Sequence, residues 1–448
     1  MKNINSLYFK DRNKVILFLF LMALFIRLIY IFLGDQFPLM NDDLQYNIIA
    51  KNILDGNGFS YDSTEPTAAR GPVYPLFLAA TYFVFGYDYN VVRILQSIIG
   101  AITCLFIYLI AKKLYNHIIG FYASVTVSIY PSLIGYSGLL YSETLAAFLL
   151  SISILFYLLL IEKKSFIFFI ITGIFLGLLI LCYPKFMLLP IILGFSIYFY
   201  NSFQKNFAKY YLVLIGGVVF MIAPWTLRNF DKFGEFIPVT TGTGTTLWYS
   251  TLPEDETEWR FDREPLLSEF KKFFHDPQND NEINEFFFSV KTDKVFKQKA
   301  TSNIINNPLL FIKLSIKRFF RQWLASNGNS FYILSGATND YLLSKNYSIF
   351  LIKVFLFFLQ VYVIVFACIG ILVDYASNKK NIFSPIFLTI LYSTIINSIF
   401  MTQPRYQIPI LGLLLIYTVL GSHWAFLKLS NTHKFIRVTP VSRTSLIN

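Results

Sequence analysis

Residues 15–33, VILFLFLMALFIRLIYIFL, decide the fold class, because they have the length and apolarity of a helix that crosses a lipid bilayer. The run is longer than the apolar core of a signal peptide, and no small-residue cleavage site follows it, so we expect it to be retained. The whole chain has the same character. Of its 448 residues, 55% are hydrophobic and 14% are charged, whereas soluble proteins carry about 25% charged residues. The sequence therefore predicts an all-α polytopic membrane protein.

Nine further apolar segments bring the number of candidate spans to ten. The ten are residues 15–34, 92–111, 118–134, 139–161, 166–182, 185–200, 209–227, 348–373, 382–401 and 406–427. The segment 73–86 is also apolar, but counting it as a span would move Lys112 and Lys113 to the other side of the membrane. We predict that this segment is a re-entrant or interfacial helix.

Lysines between the spans set the predicted orientation. With the N-terminus in the cytoplasm, every short loop on that side is basic, as the positive-inside rule requires. These loops contain Lys112 and Lys113, Lys163 and Lys164, Lys205 and Lys209, and Lys379 and Lys380. Topology thus explains the net charge of +12, and nucleic-acid binding is not expected. We predict a multi-pass protein of the inner or plasma membrane, in contact with membrane lipids, with both termini in the cytoplasm.

This orientation divides the chain into four parts. They are an N-terminal transmembrane catalytic module, 1–227, with a first outer loop, 35–91; a mixed outer lid segment, 228–347; C-terminal transmembrane helices, 348–427; and a cytoplasmic tail, 428–448. The first outer loop is acidic, and that asymmetry exceeds what orientation alone requires. The candidate chemistry therefore gathers on the non-cytoplasmic side.

The strongest feature of the first outer loop is residues 40–46, MNDDLQY, which open a helix ending near Leu54. Its apolar face is predicted to consist of Leu44, Ile48, Ile49 and Ile53. The helix should then lie on the membrane surface with its carboxylates toward water. In one interpretation Asn41 caps the helix and the aspartates complement its dipole. In the other, Asp42 is a general base that the helix N-terminus keeps ionised.

Four cations from separate parts of the chain are expected at the same face: Arg70, Lys185, Arg228 and Arg405. Each alone is more typical of an interfacial anchor that reaches toward lipid headgroups than of a ligand contact. Together they form a ring of positive charge that suits an anionic phosphate lipid. Glu143 opens the fourth span, where an ionisable group is costly and indicates a function, although a Ser142 cap with a solvated Glu143 is an alternative.

Several motifs of other enzyme classes are missing from the sequence. It has no P-loop or dinucleotide fingerprint, which argues against a cytoplasmic nucleotide substrate. It also has no HExxH motif or Cys/His cluster that would indicate a protein-bound zinc ion. The four histidines are scattered, and we expect none of them to be catalytic.

The order and spacing of these features resembles the membrane glycosyltransferases of the GT-C superfamily, close to the protein O-mannosyltransferases and lipid A aminoarabinose transferases of the glycosyltransferase family 39 type. The resemblance rests on Asp42-Asp43-x-x-Tyr46, Arg70-Gly71-Pro72-x-Tyr74-Pro75-Leu76, Arg93, Gln96, Glu143, PWTLRN at 224–229, FGEFIPV at 233–239, and Arg405-Tyr406-x-x-Pro409. It covers roughly residues 15–420 and is weakest between 250 and 345.

This resemblance implies a GT-C-like bundle of about ten transmembrane helices, with interfacial helices in the first outer loop. It also implies an inverting transfer of a sugar from a polyprenyl-phosphate donor to a glycan, lipid or protein acceptor outside the cytoplasm. The acidic residue of the first outer loop is the base in this family, which maps to Asp42, with Asp43 beside it and Tyr46 and Tyr74 in the same motifs.

Three departures from the family pattern bear on the site. The family often has Asp-Glu at Asp42-Asp43, Asp at Glu143, and Arg-Pro or Lys-Pro at Arg70-Gly71-Pro72. Carboxylate chemistry survives the first two. Glu143 is then a second carboxylate or a ligand of a divalent metal ion, the one cofactor that stays open. The inserted Gly71 loosens the argument that Arg70 holds the donor phosphate.

Two other functions remain open on the sequence. A transporter or flippase of lipid-linked sugars would place charges near the bilayer midplane, where Arg27 is the main ionisable residue. A polysaccharide polymerase or ligase would be expected to place working arginines and a histidine in a large outer loop. His275 is the only histidine of residues 228–347.

Overall fold

The computed structural model describes residues 12–34, 39, 42–61, 65–200, 207–252, 289–324, 331, 334 and 338–430. Within these ranges the regular structure is helical, apart from one isolated bridge between Ser60 and Pro66. Residues 431–448, most of the predicted tail, and residues 253–288 of the predicted lid lie outside the described ranges. The predicted all-α character is confirmed.

The helices of the first half are α1 (Arg12–Leu33), α2 (Asp42–Leu54), α3 (Val73–Phe85), α4 (Tyr89–Leu114), α5 (His117–Ile129), α6 (Pro131–Gly135), α7 (Glu143–Lys163), α8 (Phe166–Cys182), α9 (Leu189–Tyr200) and α10 (Phe207–Phe233). Those of the second half are α11 (Thr243–Tyr249), α12 (Val290–Asn306), α13 (Pro308–Leu324), α14 (Thr338–Leu343), α15 (Tyr347–Ser377), α16 (Pro385–Ile399) and α17 (Ile408–Leu429). Short 3-10 turns precede α9, α16 and α17.

Six of these helices are long and apolar enough to cross a membrane: α1, α4, α7, α10, α15 and α17. Shorter apolar helices, α5, α8, α9 and α16, coincide with the other four predicted spans. The chain is thus a polytopic membrane protein. Hydropathy located every one of these helices but not their ends. The third predicted span, 118–134, shows why: α5 stops at Ile129 because Pro131 forces Tyr130 into an extended conformation.

Three of the lysine-rich loops lie at one end of the bundle. Lys113 pairs with Glu162, which joins the end of α4 to the end of α7. Tyr115 hydrogen-bonds Asp374 and Tyr417, which brings the end of α15 to the same place. These three loops, which the positive-inside rule assigned to one side of the membrane, are therefore neighbours in the fold.

Helix α3 does not extend from one end of the bundle to the other. Its 13 residues span about 20 Å, less than the roughly 30 Å of a hydrocarbon core. Both of its ends lie beside α2, because the ring of Tyr74 packs against that of Tyr46 at 4.9 Å and Tyr82 donates to Asn47 over 2.9 Å. Helix α3 therefore packs along α2, as the prediction of a helix that does not span the bundle requires.

The predicted apolar face of α2 is wrong at Leu44, which is 42% exposed. Ile49 is fully buried, and Ile48 and Ile53 pack beside it. The buried side of α2 also includes Asp43, Gln45, Tyr46 and Asn47. The reason is that neighbouring tyrosines satisfy these polar groups: Tyr61 donates to Gln45, and Tyr82 to Asn47. Burial in this helix therefore follows available hydrogen-bond partners as well as hydropathy. Asn41, the predicted cap, lies outside the described residues.

Glycines let the helices of the bundle approach closely. A Cβ atom at Gly173 of α8 would lie 2.3 Å from the carbonyl oxygen of Leu214 in α10, and one at Gly370 of α15 would lie 2.0 Å from that of Tyr417 in α17. Such small-residue contacts hold helices together where apolar burial gives no driving force between them.

We expect Gly173→Ala to destabilise the protein and Gly216→Ala not to do so. Gly173→Ala forces α8 and α10 apart and should destabilise by roughly 1–3 kcal/mol. Gly216, also in α10, has nothing within 4 Å of an added Cβ, so Gly216→Ala should leave stability unchanged or raise it by up to about 1 kcal/mol through helix propensity. Thermal unfolding in detergent measures both; equal melting temperatures would contradict this packing.

Candidate active site

The centre of the site is the carboxylate of Asp42, which lies between two arginines from distant parts of the chain. Its Oδ1 atom is 2.5 Å from Nη2 of Arg70, and its Oδ2 atom is 2.5 Å from Nη2 of Arg405. Asp42 begins α2, Arg70 precedes α3, and Arg405 lies in the 3-10 turn before α17. The three side chains are 21%, 16% and 16% exposed. The structure therefore brings three of the predicted site residues into direct contact.

The two arginines hold Asp42 ionised. Burial alone would raise the pKa of this carboxyl group, but the positive charges of Arg405 and Arg70, and the hydrogen bonds that they donate, lower it well below its usual range. Burial alone would lower the pKa of Arg70. The negative charge of Asp42 outweighs this effect and raises the pKa of Arg70. Asp42 is thus an anion at any physiological pH.

Gln45 and Tyr61 fix the position of Arg70. The Nε and Nη2 atoms of Arg70 both donate to Oε1 of Gln45, the former over 3.0 Å, and the Tyr61 hydroxyl donates to the same oxygen. Burial raises the pKa of Tyr61 to about 12, so its hydroxyl stays a neutral donor. Gly71 then passes so close to α8 that a Cβ there would lie 2.1 Å from the carbonyl oxygen of Leu181. The glycine that departs from the family pattern is the residue that permits this approach.

Glu143 lies beside Arg405. Its Oε1 atom is 3.6 Å from Nε of Arg405, and its side chain is 4% exposed. Ser142 makes no side-chain cap to α7, and its hydroxyl lies 3.3 Å from that of Tyr46. The alternative of a Ser142 cap with a solvated Glu143 is therefore wrong.

Two of the motif residues support the turn that leads to Glu143. Gln96 donates to the carbonyl oxygens of Ser137 and Leu139, and it accepts a hydrogen bond from Tyr74 over 2.8 Å. Arg93 donates to the carbonyl oxygen of Gly138. The ring of Tyr74 also packs edge-on against Tyr46 at 4.9 Å. Tyr46 and Tyr74 thus connect the helix of Asp42 to the start of α7.

Lys185 completes the cluster from the turn before α9. Its Nζ atom lies 3.0 Å from the ring centroid of Tyr406 and 3.3 Å from Oδ1 of Asn397. Its carbonyl oxygen accepts a hydrogen bond of 2.6 Å from Tyr392. Tyr406 follows Arg405, and the charges of Arg405 and Glu143 act on the Lys185 ammonium group. Arg70, Lys185 and Arg405 form one group of basic side chains.

Arg228 is not part of that group. It donates to the carbonyl oxygens of Thr67 over 2.8 Å and of Phe59 over 3.2 Å, and it lies 4.8 Å from the ring centroid of Trp225. Its neighbour Asn229 donates to the carbonyl oxygen of Ile237. The PWTLRN motif therefore fastens the outer loops together, and the structure gives Arg228 a supporting position and no contact with Asp42.

Asp43 is buried, at 3% exposure, and accepts a hydrogen bond of 2.9 Å from the backbone N–H of Leu44. Its charge acts on Arg93 and Tyr141, so it lies on the α4 side of Asp42.

Reasoning from the sequence missed four residues that contact or surround the cluster: Gln45, Tyr61, Tyr141 and Tyr183. Gln45 lies within the motif at residues 40–46, and Tyr141 and Tyr183 lie two residues before Glu143 and Lys185.

The donor set does not fit a divalent metal ion. Among the described residues there is no group of three His, Cys, Asp or Glu side chains placed to bind one. Each Asp42 oxygen already accepts from an arginine, and Arg405 stands between Asp42 and Glu143, where a shared metal ion would have to lie. We therefore derive no step through a metal.

Acid should remove the stabilisation that Asp42 contributes. Its pKa is lower in the folded chain than the roughly 3.9 of an unfolded aspartate, so the unfolded state binds more protons below about pH 5 and stability falls as the pH falls. We expect wild type to exceed Asp42→Asn in melting temperature at pH 7, and the difference to shrink below about pH 4. Asp55→Asn, at an exposed position, should follow wild type throughout. A constant difference down to pH 3 would contradict the ion pairs.

Comparison with known proteins places this geometry in context. Residues 69–226 match the sequence family described as dolichyl-phosphate-mannose-protein mannosyltransferase. No curated protein matches the chain in sequence. The oligosaccharyltransferase of Archaeoglobus fulgidus, solved with Zn and sulfate, is similar with a TM-score of 0.54 and 15% identity over 93% of this chain and 49% of that one.

Two further solved structures carry lipid phosphates. The Archaeoglobus fulgidus oligosaccharyltransferase with an inhibitory peptide and a dolichol-phosphate has a TM-score of 0.50 and 16% identity, over 92% of this chain and 50% of that one. ArnT from Cupriavidus metallidurans, bound to undecaprenyl phosphate, has a TM-score of 0.40 and 12% identity, over 91% and 75%.

The chain spans about half the length of the oligosaccharyltransferase, and at these identities the likeness concerns the fold alone. The family match is independent of it, and its residues 69–226 include Arg70, Glu143 and Lys185. The resemblance to the GT-C membrane glycosyltransferases that the sequence predicted is thereby confirmed, and residues 69–226 carry the match to the mannosyltransferase family.

Proposed function

We propose that the protein is an inverting glycosyltransferase, a hexosyl- or pentosyltransferase, that moves a sugar from a polyprenyl-phosphate donor to a glycan, lipid or protein acceptor. The observation that carries the proposal is the Asp42 carboxylate bound by Arg70 and Arg405, with Glu143 and Lys185 beside it. The match over residues 69–226 supports it, as does the dolichol-phosphate bound in one similar structure.

The charges of the cluster suit a lipid phosphate. Arg70 and Arg405 provide two positive charges and Lys185 a third when protonated, while Asp42 and Glu143 provide two negative ones when ionised. A donor phosphodiester adds one negative charge and balances the group. Arginine also offers a planar pair of donors to phosphate oxygens. We infer that the phosphate binds on the exposed edges of Arg70 and Arg405, with the prenyl chain among the apolar helices.

The reaction follows from this placement. The acceptor hydroxyl oxygen attacks the anomeric carbon from the side opposite the phosphate, and Asp42 takes its proton. The bond from the anomeric carbon to the phosphate oxygen breaks, and its electron pair goes to that oxygen. The cations stabilise the charge that develops there, because they are already in place and need no reorganisation.

Donor binding should make Asp42 a stronger base. In the resting structure its two arginines lower its pKa, which weakens its pull on a proton. A phosphate that accepts hydrogen bonds from the same arginines takes part of their charge away from Asp42. The base is therefore expected to gain strength only once the leaving group is bound.

The proposed function requires a membrane topology, and we keep the ten spans that the sequence predicted. We propose that α5, α8, α9 and α16 are the four spans beyond the six long helices, which gives ten spans. The site is then at the non-cytoplasmic end, opposite the lysine-rich loops. The predicted catalytic module 1–227 needs one amendment, since Arg405 comes from the C-terminal helices 348–427. Residues 228–347 stay the proposed lid for acceptor selection.

No described feature favours the transporter or the polymerase over this function. Arg27 is 1% exposed, and its Nη1 atom donates to the backbone carbonyl oxygens of Ala23 over 3.0 Å and Ser128 over 3.4 Å. These contacts hold it within helix packing. His275, the residue considered for a polymerase, lies outside the described residues.

Asp42→Asn should abolish transfer, since it removes the base while keeping the side-chain shape. We expect a loss of roughly 100- to 10,000-fold. The assay follows radiolabelled sugar from a polyprenyl-phosphate monosaccharide in isolated membranes, with Asp55→Asn as the control that removes an exposed carboxylate. Undiminished transfer by Asp42→Asn would refute its role as base; label that stays on the lipid with wild type and every acceptor would favour a transporter.

Arg405→Gln and Arg228→Gln separate donor binding from support of the fold. Arg405→Gln should lower kcat/KM for the donor by about 100-fold or more, because a charge-assisted phosphate contact is lost. Arg228→Gln should lower the melting temperature, since Thr67 and Phe59 lose their donor, with kcat/KM nearly unchanged. Similar kcat/KM losses in both variants would contradict the division of roles.

A further inference from the structure

The turn between α8 and α9 contains a buried hydroxyl group that no described residue hydrogen-bonds. Tyr183 is 8% exposed, and its hydroxyl has no hydrogen-bond partner among the described residues. A buried polar group without a partner costs free energy, and most buried polar groups in native proteins have one. The hydroxyl therefore needs a hydrogen-bond partner that the described residues do not provide.

The backbone on either side fixes this turn against the candidate active site. Leu181 touches Gly71, the residue after Arg70, at the close approach described above. The Sγ atom of Cys182 lies 3.9 Å from the carbonyl oxygen of Ser142, the residue before Glu143. Lys185 follows two positions later. Tyr183 thus stands between the Arg70 and Glu143 segments of the site.

A second donor in the same cluster also lacks a hydrogen bond. Nε of Arg405 is buried and makes none within the described part of the chain. Glu143 Oε1, at 3.6 Å, is beyond hydrogen-bond distance. The charges of both Glu143 and Arg405 act on the Tyr183 hydroxyl, and burial raises its pKa well above the usual range, so it keeps its proton and can only be a donor to an anion. Two unused donors in one place indicate an absent acceptor of hydrogen bonds.

We propose that Tyr183 is a donor-positioning residue, whose hydroxyl hydrogen-bonds the phosphate of the polyprenyl-phosphate sugar together with Nε of Arg405. The inference deepens the proposed function and rests on it. A neutral phenol here adds a directed contact without a further charge, so it aligns the phosphate that the cations attract. It also keeps that phosphate oriented as the bond to the sugar breaks.

The test compares Tyr183→Phe with Tyr157→Phe, two changes that each remove one buried hydroxyl. Tyr157 in α7 donates to the carbonyl oxygen of Leu193 over 3.0 Å, within the helix bundle. Tyr183→Phe loses no hydrogen bond to any residue that the structure describes, so we expect its melting temperature to equal or exceed that of wild type. Tyr157→Phe should lower the melting temperature and leave ligand affinity unchanged.

The ligands are a polyprenyl phosphate and the corresponding polyprenol, whose affinities for the full-length protein in nanodiscs are measured. Tyr183→Phe should weaken binding of the phosphate about 10- to 100-fold, as expected for a hydrogen bond to a charged group, and leave polyprenol binding as in wild type. With the glycosylated donor, KM should rise by a similar factor and kcat should fall less.

Each other outcome is decisive. If wild type does not prefer the phosphate over the polyprenol, the proposed function fails. If wild type does and Tyr183→Phe binds the phosphate equally well, only the role of Tyr183 fails. If Tyr183→Phe loses stability as Tyr157→Phe does, with phosphate affinity intact, the hydroxyl has a structural partner such as a buried water, and the inference is overturned.

Discussion

The pairing of one carboxylate with two guanidinium groups is the constraint on which the rest of the site depends. Asp42, Arg70 and Arg405 are partly buried, and a charge left without its partner there costs several kcal/mol. Neighbouring residues hold the two arginines in place. Gln45 and Tyr61 fix Arg70, and Gly71 allows its segment to reach α8. A turn that begins with a proline positions Arg405. Three separate loops become one rigid unit.

The surrounding tyrosines suit this electrostatic design. Tyr46, Tyr74, Tyr141 and Tyr406 pack around the ions with apolar rings and polar tips. The rings exclude water, which strengthens every charge interaction inside, while the hydroxyl groups add directed hydrogen bonds. An aromatic shell of this kind lets an ionic cluster exist at the edge of an apolar bundle. Lys185 over the face of Tyr406 shows the same principle, since a ring stands where a carboxylate would otherwise be needed.

The sequence predicted helix positions well because hydropathy reports directly on the solvent that each segment meets. It also placed Asp42, Arg70 and Arg405 in loops on the same side, but not their mutual contacts, because residues far apart in sequence leave no local signal. The polar residues on the buried side of α2 were not predicted for a related reason: Gln45 and Asn47 are buried because Tyr61 and Tyr82 donate hydrogen bonds to them. Arg228 is an arginine at an outer loop like the others, and only its contacts with backbone carbonyl oxygens distinguish it.

The bond between Asp42 and Arg405 joins residues 363 positions apart, which has a consequence for biogenesis. Chains are made from the N-terminus, so α1 to α10 enter the membrane well before Arg405 leaves the ribosome. Until then Asp42 has Arg70 as a partner, and the 3-10 turn before α17 has not yet arrived. The site is consequently completed by docking of the last helix, and its two arginines meet around one acid only when the whole bundle has been assembled.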